Sequence, residues 1–98
     1  MKFLEVIELR SSDCHKTDLA PVLRKLVKDV SEKAADHCIT IYSHMTIDTD
    51  FRIHLLHGSM EAQSEKSPLG LQIAAILKEY GLVNHSIWIT HLNKEGEK

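Results

Sequence analysis

Nothing in this 98-residue chain is both long and greasy. No apolar run approaches the ~20 residues that a membrane-spanning helix requires. The opening stretch MKFLEVIELR is broken by Glu5 and Glu8, unlike a secretion signal. Positive charge is not in excess: 12 Lys and Arg against 14 Asp and Glu leave a formal charge of −2. Nucleic acid and anionic membranes are therefore poor partners. Cysteine is scarce, and Cys14 and Cys38 make neither a CxxC pair nor a metal-like spacing. The segment SSDCHKTD (11–18) has one cysteine where a heavy-metal-binding loop needs two. Spacing alone leaves a disulfide open, but a histidine-rich chain without a secretion signal is expected to be cytoplasmic and reduced. Aromatic residues make up only 5%, and DFRIHLLH (50–57) lacks the stacked aromatics amid basic residues of an RNA-reading sheet. Glycine and proline are rare too, with no glycine-rich phosphate cradle and no Ser-His-Asp ordering.

What remains has ordinary globular proportions, and the length favours one domain over 1–92 followed by a charged tail, NKEGEK (93–98). KFLEVIEL (2–9) reads as a strand ended by a turn signal. In TDLAPVLRKLVKDVSEKAADH (17–37), Leu19, Val22, Leu23, Leu26, Val27, Val30 and Ala34 fall on one helical face. Thr17 or Asp18 is the expected cap, with Pro21 in the first turn. ITIYSHMTIDTDFRIHLLHG (39–58) reads as a hairpin, and GSMEAQSEKS (58–67) as a polar connector. SPLGLQIAAILKEYGL (67–82) is a second helix with Ser67 as N-cap, Pro68 at its first position and Gly81 as a left-handed stop. Its apolar residues spread around most of the circumference, which suggests deep burial or a second packing partner. VNHSIWITHL (83–92) is a last strand. The order strand, helix, strand, strand, helix, strand predicts an α+β ferredoxin-like βαββαβ sandwich, a four-stranded antiparallel sheet with both helices on one face.

The other face of that sheet is where a site is expected. Pairing Ile47 with Phe51 across a three-residue turn puts the large aliphatics of the hairpin together. It also sets His44 opposite His54, Tyr42 opposite Leu56 and Thr46 opposite Arg52, all facing away from the helices with Trp88, Ser86 and Thr90. His57 falls on the other face. The first strand is ambiguous, and Glu5 is assigned to the open face because an unpaired carboxylate is costly in a dry core. A face carrying this much apolar surface beside His, Arg and Glu fits a cavity wall or a moderately polar oligomer interface.

The short βαββαβ order, a half-greasy open face and a strand FRIHLLHGSMEA (51–62) running into a serine-bearing connector resemble the dimeric α+β barrels, and among them the antibiotic-biosynthesis-monooxygenase-like proteins. That resemblance implies a homodimer packed through its open sheet faces, and in some members cofactor-independent oxidation of aromatic or enolic substrates. Active members have a Trp after the third strand and an Asn on the first. Here those regions read LLHGSMEA and KFLEVIEL, so no catalytic residue carries over.

Three functions follow as expectations. The first is a pocket for a small apolar or aromatic molecule, with Tyr42, Leu56 and Trp88 as walls and Glu5 beside them. In its catalytic form His54 or His44 is the base and Arg52 steadies negative charge, with no cofactor. The second is an interaction module that only dimerises. The third is a metal site built from His44, His54 and Glu5. His15, His37, His85, His91 and Cys14 take bland roles.

Overall fold

A computed structural model describes residues 3–12, 16–33, 37–57 and 67–91. The elements are β1 (Phe3–Ser11), α1 (Lys16–Lys33), β2 (His37–Ser43), β3 (Asp50–His57), α2 (Pro68–Leu77) and β4 (Gly81–Ile89). The strands form one antiparallel sheet in the order β2-β3-β1-β4. This is the ferredoxin-like βαββαβ arrangement that the element order predicts. None of the described helices is long and apolar enough to cross a membrane.

The core lies between the sheet and the helices. Leu19, Leu23, Leu26 and Val30 of α1 and Ile73, Ala74 and Leu77 of α2 pack on Ile7, Leu9, Ile53 and Leu55. The helical spacing read from the sequence is thus the buried stripe of α1, with Val22 and Val27 at its margins; Ala34 lies outside the described residues. Helix α1 begins at Lys16, so Thr17 and Asp18 are within the helix instead of capping it. Pro21 sits beyond the first turn and removes one backbone rung.

Ser67 caps α2 as expected. Its backbone is extended (φ −72°, ψ 155°), its Oγ accepts from the Gly70 N–H at 2.9 Å, and Pro68 follows at the first position. Gly81 is not a left-handed stop, because no described glycine has positive φ. It opens β4, where a Cβ would stand 2.0 Å from the Arg10 carbonyl oxygen. Glycine is needed there for the close approach of two strands. The breadth of apolar residues on α2 is only partly buried: Leu71 and Ile76 remain exposed.

The hairpin register differs from the expected one. Ser43 faces Phe51, Tyr42 faces Arg52 and Thr40 faces His54. Strand β2 ends at Ser43, and 44–49 form a longer connection closed by His44 N–H to Asp50 O (3.0 Å) and Asp50 N–H to Ile47 O (3.2 Å). Tyr42 thus meets Arg52 in place of Leu56, a displacement of four residues. An even displacement keeps the side chains that remain in β2 and β3 on their predicted faces. It leaves Met45 and Ile47, which alternation had assigned to the core, exposed in the connection.

Candidate functional site

The sheet face away from the helices is organised in rows across β2, β3, β1 and β4. One row runs Tyr42, Arg52, Glu8, Asn84; the next Thr40, His54, Val6, Ser86; the third Cys38, Leu56, Leu4, Trp88. Beyond the first row, Asp50, Arg10 and Leu82 complete the end nearest the 44–49 connection. Alternation along each strand produces this face directly.

A cavity of about 720 Å³ opens at that end, and Tyr42, His44, His54, Arg52, Glu8, Asn84 and Leu82 are among the residues lining it. Tyr42 on one edge strand and Leu82 on the other are half or more exposed. The floor between them is polar and internally paired. Arg52 donates to Glu8 Oε2, and Asn84 donates to Glu8 Oε1 at 3.1 Å. At the rim Arg10 forms a fork onto Asp50 at 3.2 and 3.4 Å. The hydrogen bond from Asn84, together with the contact and charge of Arg52, holds the Glu8 carboxyl below its ordinary range against the opposing pull of burial and Asp50.

His54 and His44 have different roles here. The His54 ring packs against Tyr42 with centroids 4.8 Å apart. Its Nε2 is shielded from solvent and has no hydrogen-bond partner among the described residues. Burial, reinforced by the Arg52 charge and only partly opposed by Glu8, lowers its pKa. The ring is therefore neutral at physiological pH. His44, by contrast, accepts at Nδ1 from the N–H groups of Thr46 and Ile47, both at 3.1 Å. A backbone N–H can only donate, so Nδ1 holds the lone pair and Nε2 carries the proton. His44 pins the connection and presents a donor. It is not arranged as a base, which corrects that expectation.

Arg52 reaches the cavity already paired with Glu8, so steadying a ligand's negative charge is not its resting role. Trp88 and Leu56 share the open face but lie at its far end, lining a separate hollow of about 140 Å³ around Leu4. There the Trp88 Nε1–H donates to Ser86 Oγ at 2.8 Å. The expected wall of Tyr42, Leu56 and Trp88 is therefore split between two ends of the sheet.

Glu5 is on the opposite face. Its side chain is fully buried beneath the start of α2. Both metal-site histidines point elsewhere, so the His44, His54 and Glu5 set is not brought together. Among the described residues no group of three or more His, Cys, Asp or Glu could hold a metal ion. Instead Glu5 Oε1 accepts from His57 Nε2 (2.6 Å) and Ser67 Oγ (2.7 Å), and Oε2 accepts from His85 Nε2 (2.7 Å) and the Ser67 N–H (3.0 Å). These donors fill the lone-pair sites of an ionised carboxylate and fix both rings as Nε2–H donors toward it. Phe3 stacks on His57 with centroids 4.3 Å apart. Burial is the largest influence on the Glu5 pKa and raises it, but the bonds from Ser67, His57 and His85 together bring it below the ordinary value.

This buried network is what sequence reasoning missed. The rule that carboxylates avoid dry interiors fails when enough donors surround the group. A signal was present: His57 and the Ser67 cap were each placed correctly, and strand parity puts His85 with Ile87 and Ile89 on the helix side. Cys38 is free and exposed. Cys14 and His15 lie outside the described residues, as do residues 92–98.

No family model and no curated protein matches the sequence. Among solved structures, that of Rv0793 from Mycobacterium tuberculosis superimposes with a TM-score of 0.71, covering 96% of this chain and 99% of that one at 12% identity. At that identity the likeness is one of fold. The ferredoxin-like βαββαβ fold expected from the element order is thus the fold this chain has, shared with the mycobacterial protein over nearly the whole length of both.

Proposed function

We propose that the protein is a homodimer through its open sheet face and that the cavity near Tyr42, His44 and His54 holds a small, partly apolar molecule. The observation that carries this reading is the cavity of about 720 Å³, within the volume range of small-molecule sites. It joins apolar edges at Tyr42 and Leu82 to a few fixed polar groups, the composition such sites have. Dimerisation is supported by the same face carrying Tyr42, Leu56, Leu82 and Trp88 exposed, more apolar surface than a lone sheet leaves in water without a partner. Native mass spectrometry of the purified protein tests both parts. A dimer with a retained small molecule is the expected result. A monomer at high concentration defeats the dimer, and a clean dimer that takes up no small molecule leaves a pure assembly module.

A second reading, cofactor-independent oxidation of an enolic or phenolic ligand, is favoured by one observation, the His54 ring lining the cavity and held toward its neutral form by burial and the Arg52 charge. His54 would take the ligand's hydroxyl proton. Dioxygen would then supply one oxygen atom to the ligand and leave the other as water with the two hydrogens the ligand loses. Loss of turnover in His54→Ala, with His44→Ala retaining it, distinguishes this reading from binding alone.

A further inference from the structure

We propose that Glu8 sets the charge preference of the open-face cavity: by occupying Arg52 it makes the site select uncharged, acceptor-bearing ligands over anions. This rests on the cavity being a ligand site. Two cations and two carboxylates line the cavity, and each cation is already tied to a carboxylate, Arg52 to Glu8 and Arg10 to Asp50. An incoming carboxylate finds no uncommitted positive charge and meets Glu8 and Asp50. Glu8 is doubly held, since Asn84 donates to the oxygen that Arg52 does not take. Turning Arg52 toward an anion would break that pairing and leave Glu8 beside the new negative charge.

The neutral polar groups point to what is accepted instead. His44 has its Nδ1 filled by two backbone N–H groups, so the ring offers the cavity only its Nε2–H. Asn84 gives one of its two side-chain N–H groups to Glu8. The site therefore supplies a hydrogen-bond donor without a net charge, the complement of a carbonyl or similar acceptor on an apolar frame. Glu8 lies on the strand between Arg52 and Asn84 in one cross-strand row, so the selection depends on three neighbouring side chains of the sheet.

The test uses a matched pair of probes, 2-acetonaphthone and 2-naphthoate, titrated at pH 7.5 and followed through the amide resonances of Tyr42, His44 and His54. In the unaltered protein the ketone is expected to bind about tenfold tighter than the carboxylate. In Glu8→Gln the freed guanidinium should tighten 2-naphthoate about tenfold or more, in line with hydrogen bonds to charged groups. The ketone should change little, and adding Arg52→Gln should remove the gain. Equal or tighter binding of 2-naphthoate by the unaltered protein overturns the proposal while leaving the cavity as a ligand site. An unchanged preference in folded Glu8→Gln overturns it too. No shift from either probe at millimolar concentration sinks the ligand site itself. The comparison in the unaltered protein can overturn the proposal even if the variant fails to fold.

Discussion

His57 and Ser67 donate to the same oxygen of Glu5, at 2.6 and 2.7 Å. One residue ends β3 and the other caps α2, so a single buried carboxylate on β1 ties together the two ends of the 58–66 connector. His85 ties in β4 through the second oxygen. The sheet and the start of α2 are thus held by an ionic hub inside an otherwise apolar layer.

Removing that charge should be costly. Glu5→Gln keeps the shape but replaces one acceptor oxygen with an N–H donor that must face either His57 and the Ser67 hydroxyl or His85 and the Ser67 N–H. Buried donors left unmet cost about 1–3 kcal/mol each, and breaking buried charged networks costs about 3–5 kcal/mol. We expect a loss of about 2–4 kcal/mol, read from the midpoint of urea unfolding at pH 7. Gly70→Ala should also destabilise, because its Cβ would stand 2.0 Å from Glu5 Oε2 and α2 would have to lift away. A wild-type midpoint for Glu5→Gln would show that the hub contributes nothing.

The same hub predicts how stability falls in acid. The Glu5 pKa is lower in the folded chain than its ordinary value of 4.5. Its contribution is therefore fully present above the unfolded carboxyl pKa and is lost as pH falls through the folded value. Glu8, also lowered, acts in the same direction, but it is more exposed and screened by solvent. The Glu5 share of the unfolding free energy should be constant down to about the unfolded carboxyl pKa and then decline, whereas His54, whose pKa is lowered on folding, costs stability earlier, as pH falls through its ordinary value of 6.5. Glu5→Gln should flatten the decline, measured by urea titration between pH 7 and 3.

How far such features can be read beforehand depends on which physical preference is at stake. Alternation fixes faces, so Tyr42, His54, Arg52 and Trp88 are placed correctly on the open side. It cannot distinguish registers that differ by an even number of residues, which is why His44 was expected opposite His54 and Thr40 stands there. Turn length decided between them, and the closure of 44–49 by the His44 side chain has no periodic signature. On β1 each face has one glutamate, Glu5 or Glu8, so patterning alone leaves a tie. Tertiary donors break it: Arg52 and Asn84 wait for Glu8 outside, while two histidines and a helix cap wait for Glu5 inside.

His44 offers a direct spectroscopic check. Its ring should exist as the Nε2–H tautomer at pH 8, visible in long-range nitrogen–proton correlations of the imidazole. Finding the proton on Nδ1 would contradict the two backbone bonds that close the connection. His44→Ala should cost about 1 kcal/mol, the usual net worth of such a bond.

His54 should show the opposite balance between stability and function. Its unpartnered, shielded Nε2 is a cost of the unliganded state, of the order of 1–3 kcal/mol for an unmet buried polar atom. Replacing the ring with an apolar side chain of similar size removes that cost. His54→Leu is therefore expected to be neutral or stabilising by about 1 kcal/mol in urea unfolding. Its binding of 2-acetonaphthone should weaken about tenfold. A histidine kept only for packing would lose stability on this change and leave the titration untouched.

The dimer can be separated from the fold by acting where the open face is most apolar and the core is not involved. Trp88 and Leu82 both stand on β4 with more than half of their surface exposed, and their side chains face away from the helices. A charge at either position is almost free in the isolated subunit, since surface changes away from special features stay within about 0.5 kcal/mol. Buried in an interface, a charge at Trp88 has no compensating partner among Leu4, Leu56 and Ser86, and its desolvation penalises association by several kcal/mol; at Leu82 the facing Arg10, already tied to Asp50, offsets part of that penalty. Trp88→Asp and Leu82→Asp should each shift the light-scattering mass toward the 11.1 kDa subunit. The far-ultraviolet dichroism should stay as it is. Subunits that remain paired at micromolar concentration with both aspartates in place would exclude the open face as the contact.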